Sequence, residues 1–366
     1  MDLRSSSLTK CQTILAMEPF SLKKSEKDSS YLNAMSELTN YHRLNCNKYD
    51  QIVSNLAEAR SWNMRSLESI PFIPVSLFKK FELSSVDSNE IFKVMHSSGT
   101  SGQEPSKIIL DRETSKNQSL ILLKLFKEFI PLDRPPILII DSESTIKNRK
   151  SFSARTAGIL GFSFLGRDAT FALDENFELD IEKIQSFLNK YEFDEFLIFG
   201  FTSLVWEFFI KKIKGGIFEN RFYNSYLLHG GGWKKLQNLN IDNHKFKQEV
   251  LRILGTSKVL NYYGLVEQTG SLYFECSQGF FHTSVFSNVI VREKSNFESL
   301  PIGESGILQL QSVLPKSYPG HSILTEDLGE LRGIDNCLCG RLGQTFSVLG
   351  RIPQAEVRGC SDTFEG

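Results

Sequence analysis

No stretch of the 366-residue chain approaches the roughly 20 consecutive apolar residues that a membrane helix needs, so no integral membrane segment is expected. A surplus of one charge is also missing. The 42 basic and 43 acidic side chains leave a formal net charge of -1, which gives no reason to expect nucleic acid or an anionic membrane surface as partner. The first ten residues carry a basic side chain or two, but no long apolar run follows, so a secretory leader is not expected. Cysteine is sparse, at positions 11, 46, 276, 337, 339 and 360. Without a leader these read as reduced thiols of a cytoplasmic protein, not a disulfide framework. Internal repeats and low-complexity tracts are absent, and no glycine-rich loop ends in the Gly-Lys-Ser/Thr of the common nucleotide hydrolases.

What is present is an ordinary globular composition, 40% hydrophobic and 23% charged, with a heavy use of phenylalanine (29 residues) that reads first as aromatic core. Residues 1–70 form a helical segment: Tyr31, Ala34, Met35 and Leu38 keep helical spacing, as do Ile52, Val53, Leu56 and Ala59. The run Ile70-Pro71-Phe72-Ile73-Pro74-Val75 reads as an extended linker, because two prolines oppose helix. Residues 71–285 then alternate short apolar runs with amphipathic stretches. Ile137 to Ile140 (ending in Asp141), Phe196 to Gly200, Tyr226 to Leu228 and Val259-Leu260 are candidate strands. The stretches 120–129, 181–191, 204–213 and 246–254 are candidate helices. That alternation predicts a layered α/β sheet, with ligands beyond the strand carboxyl ends. Residues 286–366 turn to β patterning, a smaller β-rich subdomain.

Glycine and hydroxyl clusters follow the strand signals. His96-Ser97-Ser98-Gly99-Thr100-Ser101-Gly102-Gln103-Glu104-Pro105-Ser106-Lys107 offers a tight backbone, several hydroxyls and a cation, a set that can wrap phosphate oxygens. Further on come Gly230-Gly231-Gly232-Trp233, Asn261-Tyr262-Tyr263-Gly264-Leu265-Val266-Glu267-Gln268, Thr325-Glu326-Asp327-Leu328-Gly329-Glu330 and Leu349-Gly350-Arg351. Taken singly, each is also what a surface loop, a core tyrosine or a turn would supply.

Their order resembles the adenylate-forming ligase superfamily. That resemblance implies ATP and Mg²⁺ as cofactors, with phosphates on Ser97, Ser98, Gly99, Thr100, Ser101 and Gly102 and a contribution from Lys107. It places adenine against Gly230, Gly231 and Gly232 and beside Tyr262 or Tyr263 with Gly264. Glu267 would hold Mg²⁺, Asp327 the ribose hydroxyls, and Arg351 ribose or phosphate. Val266 stands where the family has threonine, one hydroxyl fewer near the phosphates. Only fifteen residues follow Arg351, so the usual lid domain with its lysine is not expected.

The stretch 70–79, the loop from Ser97, Gly230-Gly231-Gly232-Trp233-Lys234 and the ending Arg358-Gly359-Cys360 are similar to the acyl-protein synthetases of bacterial luminescence. The similarity implies activation of a fatty acid, or another small carboxylic acid, as acyl-AMP. It also implies transfer of the acyl group to Cys360 and delivery to an acyl-reductase partner. A thiolate is suited to attack a mixed anhydride. Separately, Cys337-x-Cys339-Gly340-Arg341 resembles a segment of the phenylacetate-CoA ligase branch, and Cys276 with His282 could complete a Cys₃His set for structural Zn²⁺. Three other readings stay open: a ligase that releases the acyl group to coenzyme A or an acyl carrier, a catalytically degenerate binding subunit, and an enzyme whose activated acyl group serves a sugar-building pathway.

Overall fold

The computed structural model describes residues 8–59, 63–97, 105–147, 154–213, 218, 221–231 and 241–352. Helices α1 (Thr9–Leu15), α2 (Lys24–Asn45) and α3 (Asn47–Ala59) open the chain, followed by β1 (Ile73–Pro74), α4 (Leu77–Lys80), β2 (Lys93–His96), β3 (Lys107–Leu110) and α5 (Arg112–Phe129). Strands and helices then alternate through β4 (Pro136–Ser142), α6 (Ser144–Lys147), α7 (Ala154–Leu165), β5 (Arg167–Leu173), α8 (Ile181–Lys190) and β6 (Phe196–Phe201). The alternation continues with α9 (Thr202–Leu204, prolonged by a π turn), β7 (Ser225–Gly230), α10 (Asn243–Leu254) and β8 (Val259–Tyr263). Strands β9 (Tyr273–Phe274), β10 (Phe281–His282), β11 (Ser287–Arg292), β12 (Ser305–Ser312), β13 (Ser322–Ile334) and β14 (Gln344–Arg351) complete it.

By contact, the described residues divide into two compact units, one drawn from residues 8–125 and 264–352 and the other from residues 126–263. In the second unit β5, β4, β6, β7 and β8 lie side by side in that order, all parallel. Every residue of β4 and of β6 is buried, as expected of parallel strands covered on both faces, which is why they read as unbroken apolar runs. Helix α10 shows how local sequence sets an element here. Asp242 caps it by accepting from the Lys245 N–H, Phe246, Val250 and Leu254 form its buried face, and Gly255 ends it at φ +75°.

The first unit is built on an antiparallel sheet in the order β10-β14-β13-β12-β11. β1 pairs in parallel with the first half of β13, Ile73 opposite Ile323 and Pro74 opposite Leu324, while β14 pairs with the second half. The proline-rich stretch read as a linker is thus an edge strand, the place in a sheet where proline does no harm. The N-terminal helices belong to this unit. Tyr31, Ala34, Met35 and Leu38 of α2 are fully buried. Between them and the sheet, the Lys27 ammonium donates to the carbonyls of Ser284 and Ser287 and lies 4.5 Å from the centre of the Tyr31 ring. Among the described residues no helix is long and apolar enough to cross a membrane.

Candidate active site

In the first unit the hairpin β2–β3 (His96 opposite Lys107) closes at Ser97 and Ser106. The Ser97 N–H donates to the Ser106 carbonyl (3.1 Å), and the Ser106 N–H donates to the Ser97 hydroxyl (2.8 Å). Ser98, Gly99, Thr100, Ser101 and Gly102 lie outside the described residues; the hairpin fixes both ends of their loop.

Glu267 follows β8 on the single 3₁₀ turn Val266–Gln268 and is only 7% exposed. Its neighbour fixes it. The Gln268 side-chain amide donates to the carbonyls of Leu310 (3.1 Å) and Gly320 (2.8 Å), fastening the turn to the antiparallel sheet. The fit leaves no room at Gly320, where a Cβ would stand 2.5 Å from the Glu267 carbonyl oxygen and 2.3 Å from the Tyr318 ring. Burial raises the proton affinity of the Glu267 carboxyl above the ordinary range. The Ser106 hydroxyl, close by but short of a well-formed hydrogen bond, and the Lys79 cation act the other way. A buried carboxyl therefore faces the base of the Ser–Gly loop.

Asp327 and Arg351 are directly opposite across β13 and β14, with Arg351 Nε 3.5 Å from Asp327 Oδ1. The register slips by one residue just beyond them, at Leu349, beside Gly350 with φ +133°; such bulges re-aim side chains at a sheet edge. Thr325 supports the aspartate by accepting from its N–H (3.1 Å) while donating to the Leu308 carbonyl (2.8 Å).

The second unit brings Gly230 and Tyr262 together, paired across β7 and β8. A Cβ on Gly230 would stand 2.3 Å from the Tyr262 ring, so glycine is required for that ring to cross the strand end. Tyr262 packs against Phe162 (5.1 Å between centres) and stacks on Phe199 (6.4 Å). Tyr263, next along the strand and so on the opposite face, is half-buried, and Gly264 follows it. Gly231 holds φ +96°, a conformation glycine adopts freely, and faces the Phe201 ring. Gly232 lies outside the described residues. Below the turn, His229 shares Thr202 Oγ1 (3.0 Å) while that hydroxyl donates to the Gly230 carbonyl (3.0 Å), and burial pushes the His229 pKa down to about 3. The imidazole is therefore neutral and serves as scaffolding.

Sequence reasoning missed one pair at the carboxyl end of β4. Arg155 of α7 binds Asp141 through two bonds, 2.7 Å from Nε to Oδ2 and 2.6 Å from Nη2 to Oδ1, both side chains almost wholly buried. The two are fourteen positions apart in the chain, and no motif links them. In the first unit, Cys276, His282, Cys337 and Cys339 form a cluster, while Cys360 lies outside the described residues.

A parallel sheet with glycine turns at its strand ends in one unit, and in the other an antiparallel sheet carrying Asp327 and Arg351 with the Glu267 turn fastened to it, are the parts that the resemblance to adenylate-forming ligases leads one to expect. The solved structures agree on the fold. An open conformation of 2-hydroxyisobutyryl-CoA ligase, in complex with 2-HIB-AMP and CoA, superposes with a TM-score of 0.70 at 16% identity, covering 92% of this chain and 72% of that one. The same enzyme in its postadenylation state gives 0.64 at 15% identity, over 95% and 71% of the two chains. The family model described as acyl-protein synthetase, LuxE, matches residues 2–366, and the chain belongs to that family. A long-chain-fatty-acid–luciferin-component ligase of Vibrio harveyi is 24% identical over 336 residues, 88% of this chain and 83% of the relative.

Proposed function

We propose that this acyl-protein synthetase uses Mg²⁺-ATP to activate a fatty acid and then carries the acyl group on its own Cys360. In the first step a carboxylate oxygen attacks the α-phosphorus and pyrophosphate leaves, giving acyl-AMP. In the second the Cys360 thiolate attacks the acyl carbonyl and AMP leaves, giving a thioester. A reductase partner then takes the acyl group. A cytoplasmic setting, where thiols stay reduced, suits such an acceptor.

The observation that carries this reading is Glu267, a buried carboxyl held by Gln268 beside the base of the 97–106 loop. In the proposal Glu267 holds Mg²⁺ on phosphates bound by Ser97 to Gly102 and Lys107. Asp327, oriented by Arg351 and Thr325, takes the ribose hydroxyls. Gly230 to Gly232 border the adenine, and Tyr263 rather than the packed Tyr262 lies against it. The protein's contribution is positioning and charge neutralisation, as phosphoryl chemistry demands. The fatty acid is proposed from the family and from the name of the Vibrio harveyi relative. Isotope exchange between ATP and pyrophosphate, assayed with acids from acetate to palmitate, tests it. Exchange that depends on a long-chain acid is expected, and no exchange with any acid would leave the chain a binding subunit.

A further inference from the structure

The Cys276, His282, Cys337 and Cys339 cluster is not used by the chemistry above. We infer that it is a structural Zn²⁺ site of Cys₃His type, which fastens two turns of the first unit together. The four ligand atoms all lie within 4.8 Å of one another. Cys276 Sγ is 3.8 Å from Cys337 Sγ, and Cys339 Sγ is 3.3 Å from His282 Nε2. Tetrahedral zinc with bonds near 2.3 Å to sulfur and 2.0 Å to nitrogen sets its ligands about 3.8 Å (S to S) and about 3.6 Å (S to N) apart. The sulfur pair is far beyond the roughly 2.05 Å of a disulfide. Three thiolates and one imidazole are the donors that select zinc, and four protein ligands leave no position for substrate, so the role is structural.

The backbone prepares the site from two sides. Cys276 and His282 flank a tight turn in which the Cys276 N–H donates to Phe280 and the Gly279 N–H to Cys276. Cys337 and Cys339 lie in the connection between β13 and β14, where the Gly340 N–H donates to Cys337 and the Asp335 N–H to Gly343. Strand β10 pairs with β14, His282 opposite Thr345, which brings both turns to the same edge. Apolar packing does not explain the second turn. Leu338, between the two cysteines, is 88% exposed, and a Cβ on Gly340 would meet nothing within 4 Å. The turn is nevertheless a junction, because Asp335 accepts from the Lys24 N–H that begins α2 (2.8 Å), and Phe20 packs edge-on against His282. Metal binding releases the thiol protons and converts binding energy into stability of this edge.

The test uses the full chain, purified without chelator. Native mass spectrometry and elemental analysis are expected to find about one zinc per chain, and Co²⁺ exchanged into the site to give the intense visible bands of tetrahedral thiolate coordination. Cys339→Ser is expected to lower the zinc content about tenfold, while His244→Gln on the exposed face of α10 leaves it unchanged. Because a cysteine variant can misfold, the wild type is also alkylated with and without a strong chelator. Cys276, Cys337 and Cys339 should react only after chelation, with amide exchange rising at 335–343 and in the first turn of α2. A chain that carries no zinc, whose three thiols alkylate equally with and without chelator or which proves two hydrogens lighter through a Cys276–Cys337 disulfide, would overturn the site.

Discussion

The carboxyl of Glu267 has few charged neighbours to stabilise its anion, and burial raises its proton affinity. The folded chain therefore holds that proton more tightly than the unfolded chain does. Stability contributed by the neutral form is present at low pH and declines as pH rises through the raised value. The anion that would hold Mg²⁺ in the proposed mechanism forms over the same interval. The rate of pyrophosphate exchange should thus rise along an acidic limb lying above the ordinary carboxylate range, and saturating Mg²⁺ should move that limb to lower pH. Glu267→Gln should cut exchange by about 10²–10³-fold with the melting temperature held or raised at pH 8; a parallel loss of both would make Glu267 a structural residue. Arg155 and Asp141 test a different balance. Removing one partner of a buried ion pair strands the other, so Arg155→Ala should cost about 3–5 kcal/mol in urea titrations. The double variant Asp141→Leu with Arg155→Met should be less destabilised than either single change, and additive losses would contradict this. Nothing in the sequence announced the pair, because an ion pair between a strand end and a helix start depends on tertiary placement alone.

At the scale of elements, glycine marks where strands and rings come close. Gly230→Ala would drive a methyl group into the Tyr262 ring and should cost about 1–3 kcal/mol. Combining it with Tyr262→Leu should recover part of that loss in the same denaturation experiment, whereas Tyr262→Phe, which keeps the ring, should recover none. The apolar runs of β4 and β6 were legible because parallel strands buried on both faces must be apolar throughout. Helix α10 was legible from its regular face, Phe246, Val250 and Leu254. Helix α7 was not, because it carries Gly158 and Gly161, which weaken any helical signal. Gly158 has a packing reason, since a Cβ there would stand 3.1 Å from the Phe201 ring. Strand β5 escaped notice because its first residues are exposed and polar. The Pro74 strand was hidden because proline argues against a strand everywhere except at an edge.

Across the whole chain, the order of the clusters carried more than any cluster alone. The loop from Ser97, the glycines from Gly230, Tyr263-Gly264 with Glu267, and Asp327 with Arg351 occur in the sequence of an adenylate-forming ligase, and the fold agrees with it. What order could not show is that α2 packs with the C-terminal antiparallel sheet in one unit, through Lys27 and Tyr31 on one side and Asp335 on the other. Contacts between residues more than 250 positions apart leave no local periodicity. The central claim, activation followed by capture on the chain's own thiol, is tested most directly by intact-protein mass spectrometry after incubation with Mg²⁺-ATP and a mixture of fatty acids, wild type beside Cys360→Ala. A single acyl adduct on the wild type alone, removed by hydroxylamine, is the expected result. An adduct on both proteins, or on neither while pyrophosphate is still released, would contradict the role given to Cys360 and move the acceptor to another residue or another molecule.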